Sequence, residues 1–356
     1  MYVDESDKWN SELQKFACTA PLLTACPSQD CRDGEMPSAA RDTVSVLSHL
    51  RSLKLPYSSV ASDVVAQFLA LPKLEHLDCL LCEPLFQRKG LVKTSSLRDL
   101  RLRNPSPVAI VSSFIFHLRA SRLSAIDLDV CCQRGEHADI LALFRHLNNA
   151  TTTKSLQELE IRVTTSSMED PDESLPSHAL RDILLPIFSH KYVRNLVLTI
   201  PDVYIATFTD DDLFAILESW SHLEKLHVSL PYQQSQSFPD IAALEHVARH
   251  YPRLTTLEIP MDILNEPALP INPPLTSHPL AALAIEIRQF EPHVRSDRIA
   301  HYIDTLFPDL NSGDCREESF SGNILWEHQV RWLDMWRKLK ELREERLGDS
   351  DSWWDA

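Results

Sequence analysis

Nine short segments of this chain carry one apolar signature, in which an aliphatic residue is followed by apolar residues three and five positions later. In chain order the segments are Leu50-Leu53-Leu55, Leu74-Leu77-Cys79, Leu97-Leu100-Leu102, Leu123-Ile126-Leu128, Leu156-Leu159-Ile161, Val193-Leu196-Leu198, Leu223-Leu226-Val228, Leu254-Leu257-Ile259 and Leu280-Leu283-Ile285. Their first positions lie 24, 23, 26, 33, 37, 30, 31 and 26 residues apart. A unit of this size cannot bury its own apolar side, so consecutive units must stack on one another.

This spacing is typical of leucine-rich repeats, in which each unit contributes one short strand and a returning helix. We therefore predict an α/β leucine-rich-repeat solenoid over residues 43–312. The solenoid is expected to be curved, with a parallel sheet on its concave side and helices on its outer side. A repeat array of this kind presents a long surface to other macromolecules, which favours a binding protein over an enzyme.

Helix-capping residues precede several apolar patterns of helical period. Examples are Ser62, Thr209, Asp240 and Ser296, each followed by buried-type residues at spacings of three and four. Side chains of this kind accept hydrogen bonds from the unpaired amides of a first helical turn. The acidic run 210–212 is accordingly interpreted as a helix start, with a divalent-cation site as the alternative.

The two ends and two long spacings depart from the repeat. Residues 1–42 are interpreted as an N-terminal cap or a degenerate repeat, and residues 348–356 as a tail. Within residues 313–347 a C-terminal capping helix is predicted, with Trp326, Val330, Leu333 and either Trp336 or Leu339 on one face; a partner-binding amphipathic helix is the alternative. Residues 164–178 are predicted to form a surface loop, and residues 265–279 an irregular crossing.

Composition excludes several classes of function. The net charge of −16 argues against nucleic acid and anionic membranes as partners, because both are bound through clustered lysine and arginine. Only 6 glycines occur, none in a phosphate-binding spacing, so we predict no nucleotide or other cofactor. No basic leader or apolar run of about 18 residues is present, which predicts a cytoplasmic or nuclear protein with reduced cysteines.

Two motifs resemble metal or redox sites but have simpler interpretations. Cys79 and Cys82 form a C-x-x-C, yet Cys79 occupies the third position of its signature, and Cys82 and Cys131 occupy the same later repeat position. His246 and His250 lie four residues apart beside Glu245, which is outside the pair and not between the histidines as in zinc peptidases. The sequence therefore predicts no metal site and no catalytic residues.

Residues that alternate with the apolar positions are expected to lie on the exposed face of the sheet. The residue between the last two apolar positions is, in order, Lys54, Asp78, Arg101, Asp127, Glu160, Val197, His227, Glu258 and Ala284; two residues later stand Pro56, Leu80, Arg103, Asp129, Arg162, Thr199, Ser229, Pro260 and Glu286. The middle strands thus concentrate charge. We predict a protein-binding site formed by Arg101, Arg103, Asp127, Asp129, Glu160 and Arg162; a solvated charged sheet without a ligand is the alternative.

The phrases FTDDDLFAILESWSHLEKLHVSL, IAALEHVARHYPRLTTLEIPMDI and IAHYIDTLFPDL resemble fungal, mainly basidiomycete, F-box proteins with leucine-rich repeats. The resemblance covers about Thr43 to Leu310 and the helix that starts at Trp326. It implies that the repeats select a substrate, while an F-box before them binds a Skp-type adaptor within a cullin ubiquitin ligase.

The F-box itself has no counterpart between Met1 and Arg41, where no L-P-x-E-[IL] stretch occurs. Asp7-Lys8-Trp9 with Leu13 and Phe16 resembles only the phrase that follows the F-box in this family. The sequence thus predicts a protein-interaction module related to substrate recognition by F-box ligases. Skp-type adaptor and cullin partners are expected only with an F-box upstream. The alternative is a stand-alone scaffold that has no link to ubiquitination.

Overall fold

A computed structural model describes residues 49–60, 62–81, 91–132, 137–165, 178–200, 205–230, 237–269, 278–310 and 327–351. The predictions for residues 1–42, for Cys82, for the body of the 164–178 loop and for most of the tail lie outside the described residues. So does the middle of the predicted crossing, residues 270–277.

Strands and helices alternate along the described chain. They are β1 (Ser52–Val60), α1 (Ser62–Leu69), β2 (His76–Leu81), β3 (Val92–Thr94), β4 (Asp99–Pro107), α2 (Val108–His117), β5 (Leu118–Ala120), β6 (Ala125–Cys132), α3 (His137–Ala150), β7 (Glu158–Thr165), β8 (His178–Ala179), α4 (Leu180–Leu184), a 3₁₀ turn (Leu185–Ile187), β9 (Asn195–Thr199), β10 (Ile205–Thr207), α5 (Asp210–Ser219), β11 (Lys225–Ser229), α6 (Ala243–His250), β12 (Thr256–Ile263), β13 (Ala282–Phe290), α7 (Ser296–Leu306) and α8 (Glu327–Asp351).

The chain divides into two compact units, one of residues 1–175 and 183–193 and the other of residues 176–182 and 194–356. In the first unit β1, β2, β4, β6 and β7 pair in that order, all parallel. In the second unit β9, β11, β12 and β13 pair in that order, also all parallel. The predicted α/β class with parallel strands and helices is confirmed.

The apolar signature sets the register of these strands. In the first unit Leu77 of β2 pairs with Leu53 of β1 and with Leu100 of β4. The next signature residue of each of these strands is paired in the same way. The same holds in the second unit, where Leu226 lies between Leu196 and Leu257. From Leu74 to Leu283 the signature residues are at most 3% exposed, so equivalent positions stack into one buried row within each unit.

A repeated backbone contact marks the start of each strand. The carbonyl of Arg98 accepts the amides of Ser124 and Ala125 at 2.8 and 2.9 Å. The carbonyl of Glu224 likewise accepts the amides of Thr255 and Thr256, at 2.8 and 3.1 Å. This shared acceptor recurs at the position after the first signature residue. Each repeat therefore enters the sheet with the same backbone geometry.

The predicted helix starts agree with the structure within three residues. At α5, Thr209 is the N-cap residue, and the Asp212 carboxylate accepts its amide at 2.9 Å and its hydroxyl at 3.1 Å. The capping interpretation of residues 210–212 is therefore confirmed. At α6 the helix starts only at Ala243, because Asp240 forms a β-bridge with Asp262 first.

Removal of the Asp212 carboxylate should destabilise the protein modestly. Asp212→Ala leaves the amide and the hydroxyl of the N-cap residue Thr209 without their buried acceptor, so the free energy of unfolding should fall by about 1 kcal/mol. Urea denaturation measures the change. Asp211→Ala, at the exposed neighbour in the same turn, is the matched control and should change stability less; equal effects would contradict the capping role.

Helix α8 packs within the second unit against α7 and β13. Its buried residues are Trp332, Met335, Leu339 and Arg343, at spacings of three and four. These contacts favour the capping interpretation, and Leu339, predicted as the alternative to Trp336, lies on the buried face. Val330 and Leu333 are 54% and 36% exposed, so their assignment to the packed face was wrong. Trp326 lies outside the described residues.

A search of the described helices for a membrane-spanning segment finds none that combines sufficient length and hydrophobicity.

Candidate protein-binding surface

The residues between the last two signature positions form one row across the first unit. Lys54, Asp78, Arg101, Asp127 and Glu160 are paired in register on five adjacent strands. Because side chains alternate along a strand and the signature residues are buried, this row lies on the opposite, exposed face of the sheet. The predicted alignment of this row is confirmed.

The second row is less regular because two strand pairs contain register shifts. In the β1–β2 pair Leu80 lies opposite Ser59, so the predicted alignment of Pro56 with Leu80 is wrong. The β4–β6 pair shifts between Leu102 and Ser106, just where Arg103 stands. Bulges of this type bend a strand and re-aim its side chains.

Five residues of the two rows form a continuous ion-pair network, which we call the charged ladder: Asp78, Arg103, Asp127, Arg162 and Glu160. The Nε atom of Arg103 donates to both carboxylate oxygens of Asp78 at 3.2 Å, and its Nη2 lies 3.8 Å from Asp127. The Nη1 atom of Arg162 lies 3.4 Å from Asp127, and its Nη2 contacts Glu160. Each guanidinium therefore serves two carboxylates across strands β2, β4, β6 and β7.

Arg101, the first of the predicted site residues, takes a different partner. Its Nε donates to both oxygens of Asp99 on its own strand at 3.2 Å, and the Asp99 hydrogen bond raises the pKa of the guanidinium. His76 of the adjacent strand lies 3.6 Å from the same carboxylate. Arg101 thus shares the face with the charged ladder but is not joined to it by an ion pair between the described residues.

Asp129 is in register with Arg162 and lies two residues beyond Asp127 on the same face. It is half-buried, and the loss of hydration raises the pKa of its carboxyl, an effect that Arg162 partly offsets. Neither a hydrogen bond nor an ion pair within 4.0 Å joins it to any described residue. It is the one member of the predicted set whose carboxylate oxygens are not engaged.

The corresponding row of the second unit is nearly neutral. It consists of Val197, His227, Glu258 and Ala284. Nδ1 of His227 lies 2.6 Å from a carboxylate oxygen of Glu258, so the two ionisable residues of this row pair with each other. The contrast between the units agrees with the predicted concentration of charge in the middle strands.

A second polar cluster, absent from the sequence prediction, lies at the carboxyl ends of β12 and β13. The buried Asp262 carboxylate accepts the Phe238 amide at 3.3 Å, and burial raises the pKa of this carboxyl to about 6. The Arg288 guanidinium stands 5.2 Å from the Phe238 ring centre and 3.0 Å from Glu286. The register shift between Met261 and Asp262 places Arg288 as the additional residue of a bulge. The Asp262 side chain is nearly inaccessible to solvent. We therefore interpret this cluster as stabilising the fold and not as a binding site.

The predicted structural interpretation of Cys79 agrees with its surroundings. Its side chain is fully buried in the third signature position, and burial raises the pKa of the thiol to about 12. A thiol of such high pKa remains protonated at neutral pH and is neither a good nucleophile nor a metal ligand.

His246 and His250 stack on each other with ring centres 4.1 Å apart, and the Phe214 ring lies 4.1 Å from His246. Burial lowers the pKa of His246, with His250 adding to the effect. Among the described residues no group of three or more histidine, cysteine, aspartate or glutamate side chains is placed to hold a metal ion.

Comparison with known proteins adds no identity, since neither a scan of protein-family models nor a search of curated proteins returns a match.

Two residues that bear on the surface were missing from the predicted set. Asp78 was in the first row and joins the charged ladder, and Asp99 stands one alternation earlier and binds Arg101. Asp99 stands two residues after Leu97, the first signature residue of its repeat, and this position also faces outward. A third outward row at this position would have predicted Asp99.

Proposed function

We propose that this chain is a leucine-rich-repeat module for protein recognition, and that the exposed sheet face of its first unit binds a protein partner. The observation that carries the proposal is the charged ladder. A set of half-exposed arginines, held in fixed positions by less exposed carboxylates on adjacent parallel strands, offers a specific electrostatic pattern to a partner. The repeated register of the signature residues supports a curved solenoid with this face on its concave side.

The ladder is better suited to recognition than to stability. Its arginine side chains are each 42% exposed, and exposed ion pairs contribute only about 0.2–1 kcal/mol each to folding. The same charges, arranged against a complementary partner, determine orientation and exclude wrong partners. An enzyme is the less favoured function, because the described surface holds no catalytic constellation that the geometry supports.

The resemblance to F-box repeat proteins suggests that the bound protein is a substrate for ubiquitination and that the setting is cytoplasmic or nuclear. In this proposal a Skp-type adaptor and a cullin join only through an F-box outside the repeats. A stand-alone scaffold remains the second candidate, because the charged ladder would serve recognition equally without a ligase. Neither candidate includes nucleic acid, a membrane or a cofactor.

Affinity capture tests the binding face and the ligase connection together. The full chain is used as bait in a basidiomycete lysate, beside a variant with Asp127→Lys, Asp129→Lys and Glu160→Lys. At least one protein should be recovered by the wild type and reduced tenfold or more with the variant, because reversal places lysines against Arg103 and Arg162. Quantitative mass spectrometry measures the recovery.

Two controls separate lost recognition from lost folding. Glu341→Lys with Glu345→Lys changes the charge at exposed positions of α8 and should leave recovery unchanged. Circular dichroism should show that the triple variant still unfolds cooperatively. Adaptor and cullin subunits recovered with both forms would support the ligase candidate. Recovery that the triple reversal does not alter would contradict the proposed face.

A further inference from the structure

The charged ladder has more negative than positive charge, and this imbalance bears on the partner. With Asp129 and the neighbouring Arg101–Asp99 pair included, five carboxylates stand beside three guanidinium groups. Arg103 and Arg162 each already bind two carboxylates. A partner carboxylate would have to displace one of them while it approached the others, so the local field favours a cation.

Asp129 is the position at which a cation gains most. Its neighbours Asp127 and Arg162 are bound into the ladder, whereas its own oxygens have no partner among the described residues. The carboxylate is already half-desolvated by the fold, as the raised pKa of this group reflects. Arg162 and Arg103 act on this carboxylate electrostatically, but neither donates a hydrogen bond to it, and a charge-assisted hydrogen bond would replace the hydration that it has lost.

The surroundings of Asp129 suit the stem of a long basic side chain. Cys131 is the next residue along β6 on the same face as Asp129, and it is in register with Thr164 of β7. Both are uncharged, and both lie on the same face as Asp129, Cys131 half-buried and Thr164 exposed. Lysine and arginine place their methylene groups along such surfaces while the charged end reaches a carboxylate.

We propose that Asp129 is the anchor of the recognition surface and binds a lysine or arginine side chain presented by an extended segment of the protein partner. This inference rests on the proposed function of the same face and adds to it the chemistry of the partner. The ladder holds Asp129 between fixed charges, and the uncharged pair beyond it accepts the aliphatic stem.

A peptide-display selection tests the inference without knowledge of the natural partner. A library of random twelve-residue peptides is selected on the immobilised full chain and, in parallel, on Asp129→Asn and on Asp99→Asn. The asparagine variants keep the side-chain shape. Asp99 holds the site residue Arg101, so Asp99→Asn reports on loss of another carboxylate of the same face, and Asp182→Asn, at an exposed aspartate on α4 that pairs with Arg181 outside the sheet, is added as the matched control. Thermal unfolding confirms that all of these proteins are folded.

Wild type and Asp182→Asn should both enrich peptides with lysine or arginine at one fixed position, and Asp99→Asn should keep that preference because its carboxylate is already bound by Arg101. Asp129→Asn should lose that preference, and the best selected peptide should bind it about tenfold more weakly, as expected for loss of a charge-assisted hydrogen bond. A consensus without a basic residue, or one that Asp129→Asn leaves unchanged, overturns the inference. If those peptides still compete with each other and fail to bind the triple reversal variant, the proposed face stands nevertheless. Selection of no peptide above background counts against both.

Discussion

Replacement of Arg343 by alanine should lower the free energy of unfolding by about 3 kcal/mol, because two buried carbonyls and the Asp304 carboxylate each lose a donor, although Asp304 keeps its contact with Arg346. The Arg343 side chain is 10% exposed on the inner face of α8, and its Nε donates to the Asp304 carboxylate at 3.2 Å. The same guanidinium donates to the carbonyl of Phe307 at 2.9 Å and to that of Leu310. The alanine variant would leave Asp304 and both carbonyls with fewer donors inside the fold.

Chemical denaturation of the full chain measures this change. The matched control is Arg337→Ala on the exposed side of the same helix, where the ion pair with Asp334 should contribute less than about 1 kcal/mol. A double replacement, Arg343→Met with Asp304→Leu, should recover much of the loss, since it also removes the buried carboxylate, whose remaining partner Arg346 is 50% exposed. Equal effects of the two arginine variants would show that α8 is not held by this contact.

Asp262→Asn should raise stability at neutral pH and flatten its dependence on pH. Burial raises the pKa of the Asp262 carboxyl from 3.8 to about 6 in the folded protein. The folded state therefore holds the proton more tightly than the unfolded state. The resulting stabilisation is full below about pH 3.8 and is lost as the pH rises to about 6, a total change of about 3 kcal/mol. Asparagine keeps an acceptor for the Phe238 amide without this charge.

The measurement is thermal or urea unfolding of wild type and Asp262→Asn at pH 4, 6 and 8. The stability difference should favour the variant at pH 8 and shrink or reverse at pH 4. Asp309→Asn, at an exposed position of the same unit, serves as the comparison. Its stability relative to wild type should not increase as the pH rises from 4 to 8. A difference between wild type and Asp262→Asn that stays constant with pH would refute the proposed role of the buried carboxyl.

The sequence was sufficient to predict the repeated strands, because the signature fixes both which residues are buried and which neighbours they meet. Leu77, Leu100 and Ile126 could pair only in one register without exposing a row of leucines. The charged row on the other face follows from the same alternation. The placement of Lys54, Asp78 and Arg101 on one face therefore needed no structure.

The partners of the charged residues could not be predicted in the same way. Arg101 had carboxylates within reach on its own strand and on both neighbours, and the choice of Asp99 depends on side-chain rotamers that the pattern does not encode. The bulges after Leu55 and Leu102 were also missed, although Pro56 stands in the first and Pro105 in the second, and proline within a sheet is confined to edges and bulges. Pro56 was misaligned for this reason.

Helix α8 shows how an apolar pattern can support two faces. Val330 and Leu333 are spaced as a helical stripe, and so are Trp332, Met335 and Leu339, and only packing against α7 decides between them. The buried Arg343 continues the second stripe, but an arginine is normally assigned to solvent. Its partner Asp304 lies 39 residues earlier, beyond any local pattern.

The most direct test of the account is photo-crosslinking from the exposed sheet face in a cell lysate. One form of the chain carries benzoylphenylalanine in place of Thr164, beyond Arg162 on β7, and the other carries it in place of Asn149 on the exposed side of α3. The account predicts that a discrete partner crosslinks from position 164 and not from position 149. Excess wild-type chain should compete, while the Asp127, Asp129 and Glu160 reversal variant should not. Crosslinking from position 149 alone, or equally from both positions, would contradict recognition through the sheet face of the first unit.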